Sequence, residues 1–87
     1  MSEKVYNRVA LLRTERGMSR KEVAAAVDVN FQTIGYLERG VYNASLEVAL
    51  KLARLFEVPV ETLFSLEPFK PLSEIIRQDT RKTGEQG

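Results

Sequence analysis

Ser19–Gly40, SRKEVAAAVDVNFQTIGYLERG, is the stretch whose reading decides the fold. Ser19 followed three positions later by Glu22 is a capping box, each side chain satisfying a free N–H at the start of a helix, so a helix begins at Arg20. Val23, Ala24 and Val27 fall on one helical face, and the apolar run stops at Asp28-Val29-Asn30. Asp tolerates a left-handed backbone and Asn is a good N-cap, so these three residues predict a tight break before a second helix, Phe31 to Arg39. That helix buries Ile34 and Leu37 and stops at Gly40.

Two short helices joined by so few residues cross steeply, and the residue inside the elbow must be small. Ala24 stands there, and Val29, apolar within a polar turn, is placed to plug the gap between the helices. Burial of Ile34 and Leu37 leaves Asn30, Phe31, Gln32, Tyr36 and Arg39 on the outer side, a polar and aromatic set long enough to reach base edges.

This segment resembles the helix-turn-helix of the phage repressor and Cro family, also called the xenobiotic response element family, whose second helix enters the DNA major groove. The resemblance extends from NRVALLRTERGMS, starting at Asn7, through YNASLEVALKLARLFEVPVETLF to Phe64. It implies an all-α, five-helix, lambda-repressor-like DNA-binding domain over residues 1–66, with the motif at 19–40 and an extension at 67–87. Similar small members carry a short strand before the first helix and another after the last, so the resemblance also implies that Lys4-Val5-Tyr6 pairs with a strand after the last helix.

Composition narrows the function from the other side. At 87 residues the chain is one domain, small enough that dimerisation helps its core. It has no cysteine and no histidine, which removes disulfides, thiolate metal sites and the commonest metal ligand and general base. No nucleophile, base or metal set is visible, so neither an enzyme nor a cofactor is expected. MSEKVYNRV contains no long apolar run, hence no signal peptide or membrane span, and a cytoplasmic location is expected. Net charge is +1, with seven basic against five acidic side chains in residues 1–44 and six against seven in the remainder. The polarity suits DNA but is mild, so two copies side by side are needed for useful affinity.

The first helix is predicted from about Asn7 to Arg16, burying Val9 and Leu12 and stopping at Gly17. The resemblance implies that Arg13 on this helix forms a structural ion pair with Glu38. Ser45 caps a fourth helix, Leu46 to Phe56, apolar at Leu46, Ala49, Leu50, Leu52, Ala53, Leu55 and Phe56, the breadth expected of a central helix covered by several neighbours. Relatives often have a basic residue at the position of Val41 and a proline at that of Ala44; the first departure removes one phosphate contact and the second loosens the loop. Val58-Pro59 starts a fifth helix, with Val60, Leu63 and Phe64 facing inward.

From Ser65 onward, apolar residues alternate with prolines, which predicts an extended segment. Phe69 and Leu72 have no place in a core already filled; with Leu63, Phe64 and Leu66 they are expected at a dimer interface. Ser73 to Gln78 has the pattern of one or two helical turns, and Thr80 to Gly87 is polar.

Gln32 is the leading base reader, since its amide can pair bidentately with adenine from the first turn of the recognition helix. Asn30, Phe31 and Tyr36 complete the base-reading set. Capping alone explains Asn30. Phe31, where relatives commonly carry a polar or basic residue, either packs on thymine methyl groups or folds back as a staple. Tyr36 touches a base, donates to a phosphate, or simply packs on the surface. Arg20, Lys21, Thr33, Arg39, Tyr42 and Asn43 form the expected phosphate clamp, each also compatible with a solvated surface position. Gly35 costs roughly 0.5–1 kcal/mol relative to alanine in mid-helix, an expense that close approach to DNA or to a neighbouring helix would explain.

The expectation is a dimeric, sequence-specific regulator of double-stranded DNA, most often a repressor in this family, reading an inverted repeat. Alternatives are an antitoxin or restriction-modification controller, with residues 66–87 as a strip for a protein partner, and an adaptor that keeps the fold without reading DNA.

Overall fold

The computed structural model describes residues 4–70. Five helices follow in order: α1 (Val9–Glu15), α2 (Arg20–Val27), α3 (Phe31–Glu38), α4 (Leu46–Phe56) and α5 (Val60–Leu63). Two short strands flank them, β1 (Tyr6–Asn7) and β2 (Phe64–Ser65), antiparallel with Tyr6 opposite Ser65 and Asn7 opposite Phe64. The fold is therefore the expected all-α architecture with a small β closure joining the two ends of the helical body.

Asn7 corrects the sequence reading. Instead of opening α1 it ends β1, and its Oδ1 accepts the Val9 N–H at 3.1 Å. A short amide side chain can cap a helix from outside it, which is what displaces the boundary by two residues. At the other end Gly17, with φ +66°, turns the chain, and the Met18 N–H donates to the Arg13 carbonyl at 3.0 Å.

The capping box on α2 is complete: the Glu22 N–H donates to Ser19 Oγ at 3.0 Å, and the Ser19 N–H donates to Glu22 Oε1 at 2.8 Å. Asp28 then takes the left-handed conformation at φ 60°. The Val29 N–H donates back to the Ala24 carbonyl at 3.0 Å, and Asn30 Oδ1 accepts the Gln32 N–H at 2.8 Å to start α3. Three residues, Asp28 to Asn30, thus turn the chain between α2 and α3, and Val29 among them packs half-buried on the core. Pro59 stands just before α5 as its extended N-cap, one position ahead of the first helical turn.

The core unites Val9 and Leu12 of α1, Val23, Ala24 and Val27 of α2, Ile34 and Leu37 of α3, Leu52, Ala53 and Phe56 of α4, and Leu63 of α5. The end of α1 is tied to the end of α4 by Arg16, which donates from Nη2 to the Phe56 carbonyl at 2.7 Å.

Two expectations about burial fail. The apolar face of α4 is not covered throughout: Leu46 is 74% exposed and Leu50 52%. Among the described residues, α5 and β2 pack beside α4 without closing over that side. Leu63, expected both on the inner face of the fifth helix and at a subunit boundary, is 0% exposed and belongs to the core, so the inward reading holds and the boundary one does not.

Candidate nucleic-acid interface

α3 presents its outer face because its inner one is committed. Ile34 and Leu37 are fully enclosed, and the helical period then turns Phe31, Gln32, Tyr36 and Arg39 outward, all exposed. Phe31 and Tyr36 keep 46% and 45% of their surface open, unusual for rings with a core so close at hand. With Arg20 from α2 and Gly35 at the floor, these residues line one shallow hollow of about 210 Å³.

Cations stand beside both rings. Lys21 Nζ lies 5.5 Å from the Phe31 centroid and Arg39 Cζ 5.3 Å from that of Tyr36. Phe31 therefore neither folds into the core nor stands alone; its ring lies at the surface with the Lys21 ammonium beside it. Arg39 makes no ion pair among the described residues.

The helix is held at its C-terminal end by Glu38. Its side chain is only 4% exposed, and both oxygens are engaged: Arg13 Nε donates to Oε2 at 2.6 Å, and Arg20 Nε donates to Oε1 at 2.9 Å. Arg13 also donates from Nη1 to the Met18 carbonyl at 3.0 Å, bracing the α1–α2 loop. One carboxylate thus ties three helices together. Arg20 has a second employment that its position in the sequence did not reveal, and its outer guanidinium atoms stay at the surface.

The remaining residues of the expected clamp are spread more widely. Asn30 is exposed, with its carbonyl oxygen spent on the cap. Thr33 is half-buried, and Tyr42 is exposed. Asn43 is exposed but lines a different feature, an apolar groove of about 320 Å³ bounded by Val5, Ala44, Leu46, Ala49, Val60 and Phe64.

Of the residues expected at a subunit boundary besides Leu63, Phe64 is half-buried against the core and Leu66 is exposed. Phe69 is half-buried, with the Arg8 guanidinium 4.1 Å from its ring centroid, so it finds a partner within its own chain. Leu72 and the helical turns expected at Ser73 to Gln78 lie outside the described residues.

Asn7 is the contact that sequence reasoning missed. Its Nδ2 donates to the Leu37 carbonyl at 2.9 Å, supporting the last turn of α3 from β1. Only a capping amide two positions ahead of an apolar helical run hinted at it.

Among the described residues no helix is long and apolar enough to cross a membrane. A family model described as helix-turn-helix matches residues 9–63. An uncharacterized HTH-type transcriptional regulator of Archaeoglobus fulgidus is 44% identical over 57 residues, 66% of this chain and 81% of that one. Among solved structures, the restriction-modification controller protein C.AhdI from Aeromonas hydrophila superposes with a TM-score of 0.60 at 33% identity, covering 63% of this chain and 83% of that one. A transcriptional regulator from Listeria innocua, 20% identical, shares the fold with a TM-score of 0.62 over 92% of this chain and 75% of its own.

Proposed function

Because the chain belongs to the helix-turn-helix family of DNA-binding transcriptional regulators, of the phage repressor and Cro type, we propose that it acts as a dimeric repressor reading an inverted-repeat operator with α3 in the major groove. The observation that carries this reading is the outward set on α3. Phe31, Gln32 and Tyr36 stay exposed beside Arg20 and Arg39, while the opposite face of the same helix is sealed in the core. Gln32, in the first turn, hydrogen-bonds a base edge. Asn30, Phe31 and Tyr36 flank it, and Arg20, Lys21, Thr33, Arg39, Tyr42 and Asn43 hold the phosphates on either side, fixing the pose without carrying sequence information.

A second copy supplies the other half-site. The exposed Leu46 and Leu50 of α4 and the groove beside Val60 and Phe64 are the apolar surface best suited to meet it. Two-fold symmetry sets the half-sites about one helical turn, roughly 34 Å, apart.

Selection of bound duplexes from a random pool by the full chain tests the whole reading. Enrichment of an inverted repeat supports it; recovery of half-sites without symmetry removes the dimer; no enrichment removes sequence reading. The likeness to a restriction-modification controller favours a second reading, control of a restriction-modification gene pair. That reading stands if the selected repeat lies upstream of such genes.

A further inference from the structure

Gly35 has no internal reason to be glycine. Its φ is not in the left-handed region, and a Cβ built there meets a single atom, Arg39 Nη1, at 3.6 Å, an ordinary contact with the end of a flexible side chain. Among the described residues no atom of another helix lies within 4 Å of that Cβ, although Gly35 is buried at the floor of the hollow, so close packing of a neighbouring helix does not explain it and approach by a bound group is the explanation we pursue. We propose that Gly35 is a specificity-determining residue whose missing side chain leaves a seat for the 5-methyl group of a pyrimidine. The inference rests on α3 lying in the major groove.

The chemistry of the hollow selects that group. Its floor is helical backbone whose N–H and C=O groups are engaged within α3, and two of its walls are the rings of Phe31 and Tyr36. A hydrogen-bonding group pressed to that floor loses partners; a methyl loses none. In the major groove the apolar projection from a base pair is the methyl at C5 of the pyrimidine, borne by thymine or by 5-methylcytosine. Gln32 stands on the rim with an amide to reach the adjoining base edge. Arg39, free of ion pairs among the described residues, is a movable cover over Gly35 that swings toward the backbone as the methyl enters.

The test uses duplexes the full chain itself selects from a random pool. In one arm each thymine is replaced in turn by deoxyuridine, and in the other each cytosine by 5-methylcytosine. The expected result is one pyrimidine per half-site at which the methyl tightens binding about fourfold, the ratio for burying one methyl group. Discrimination at a thymine assigns the seat to thymine, and at a methylated cytosine to methylated DNA. In Gly35→Ala the ratio falls to near one, because the new methyl fills the seat, while the variant folds at least as stably as the parent in thermal denaturation. Equal affinity with and without the methyl at every position, or undiminished discrimination in Gly35→Ala, overturns the proposal and leaves DNA reading intact. Failure to select any sequence overturns both.

Discussion

The side-chain amide of Asn7 donates to the main-chain carbonyl of Leu37 at 2.9 Å, joining the first strand to the last turn of α3 across thirty positions of sequence. The same side chain accepts the Val9 N–H at 3.1 Å. Asn7→Ala removes both bonds and leaves a partly buried carbonyl without this partner. A loss of about 1.5–3 kcal/mol is expected in urea denaturation. A change under about 0.5 kcal/mol, within the range of ordinary surface substitutions, contradicts the role given to Asn7.

Glu38 is nearly enclosed and shared by two arginines of unequal burial, Arg13 at 16% side-chain exposure and Arg20 at 52%. Glu38→Ala is expected to cost about 2–4 kcal/mol, since it strands the enclosed guanidinium of Arg13. Double-mutant cycles should give Arg13 a larger coupling to Glu38 than Arg20, whose share is screened by water. Equal couplings would place the anchor in the wrong helix.

On a selected operator, Gln32→Ala should lose about 1–3 kcal/mol and relax preference at one base pair; an equal loss on random DNA counts against base reading. Arg39→Ala should weaken binding on every sequence and make log K against log salt shallower by about one unit. Arg20→Ala should do the same and also lower stability by about 0.5–1 kcal/mol, through its ion pair with Glu38. Titrations at three salt concentrations separate these cases, and an unaltered slope strikes either arginine from the phosphate set.

Leu50→Asp places a charge on the uncovered side of α4 without touching the core. Sedimentation should shift toward monomer while the unfolding midpoint of the dilute protein stays nearly constant. A dimer that persists in Leu50→Asp and in Leu46→Asp moves the subunit contact away from α4.

Much of this fold was legible because its signals are local. Ser19, Glu22, Asn30 and Ser45 each declare a helix end through bonds spanning a few residues, and those bonds are present, while Asp28 declares one through its left-handed backbone. Local signals also placed Ile34 and Leu37 inside, and hence Gln32 and Tyr36 outside. What escaped depended on distance along the chain. Apolar spacing on α4 marks residues that can be buried, but whether Leu46 and Leu50 are covered depends on where the elements after α4 pack. In the sequence Leu63 reads both as inward-facing and as a boundary residue, and only that geometry decides for the core. Asn7 and Phe69 find their partners, Leu37 and Arg8, far off in sequence, and Arg20 turned out to serve Glu38 as well as the surface.

The shared carboxylate has an electrical consequence. An α-helix carries roughly half a negative charge at its C-terminal end, and a reading rod laid between two phosphate ridges would be repelled at that tip. Here Glu38 sits at the tip with two guanidinium groups closed around it, and Arg39 follows directly. The local sum is positive, so a helix laid in the groove as proposed would meet the polyanion at this end as a counterion instead of a competitor, despite the nearly neutral overall charge of the chain.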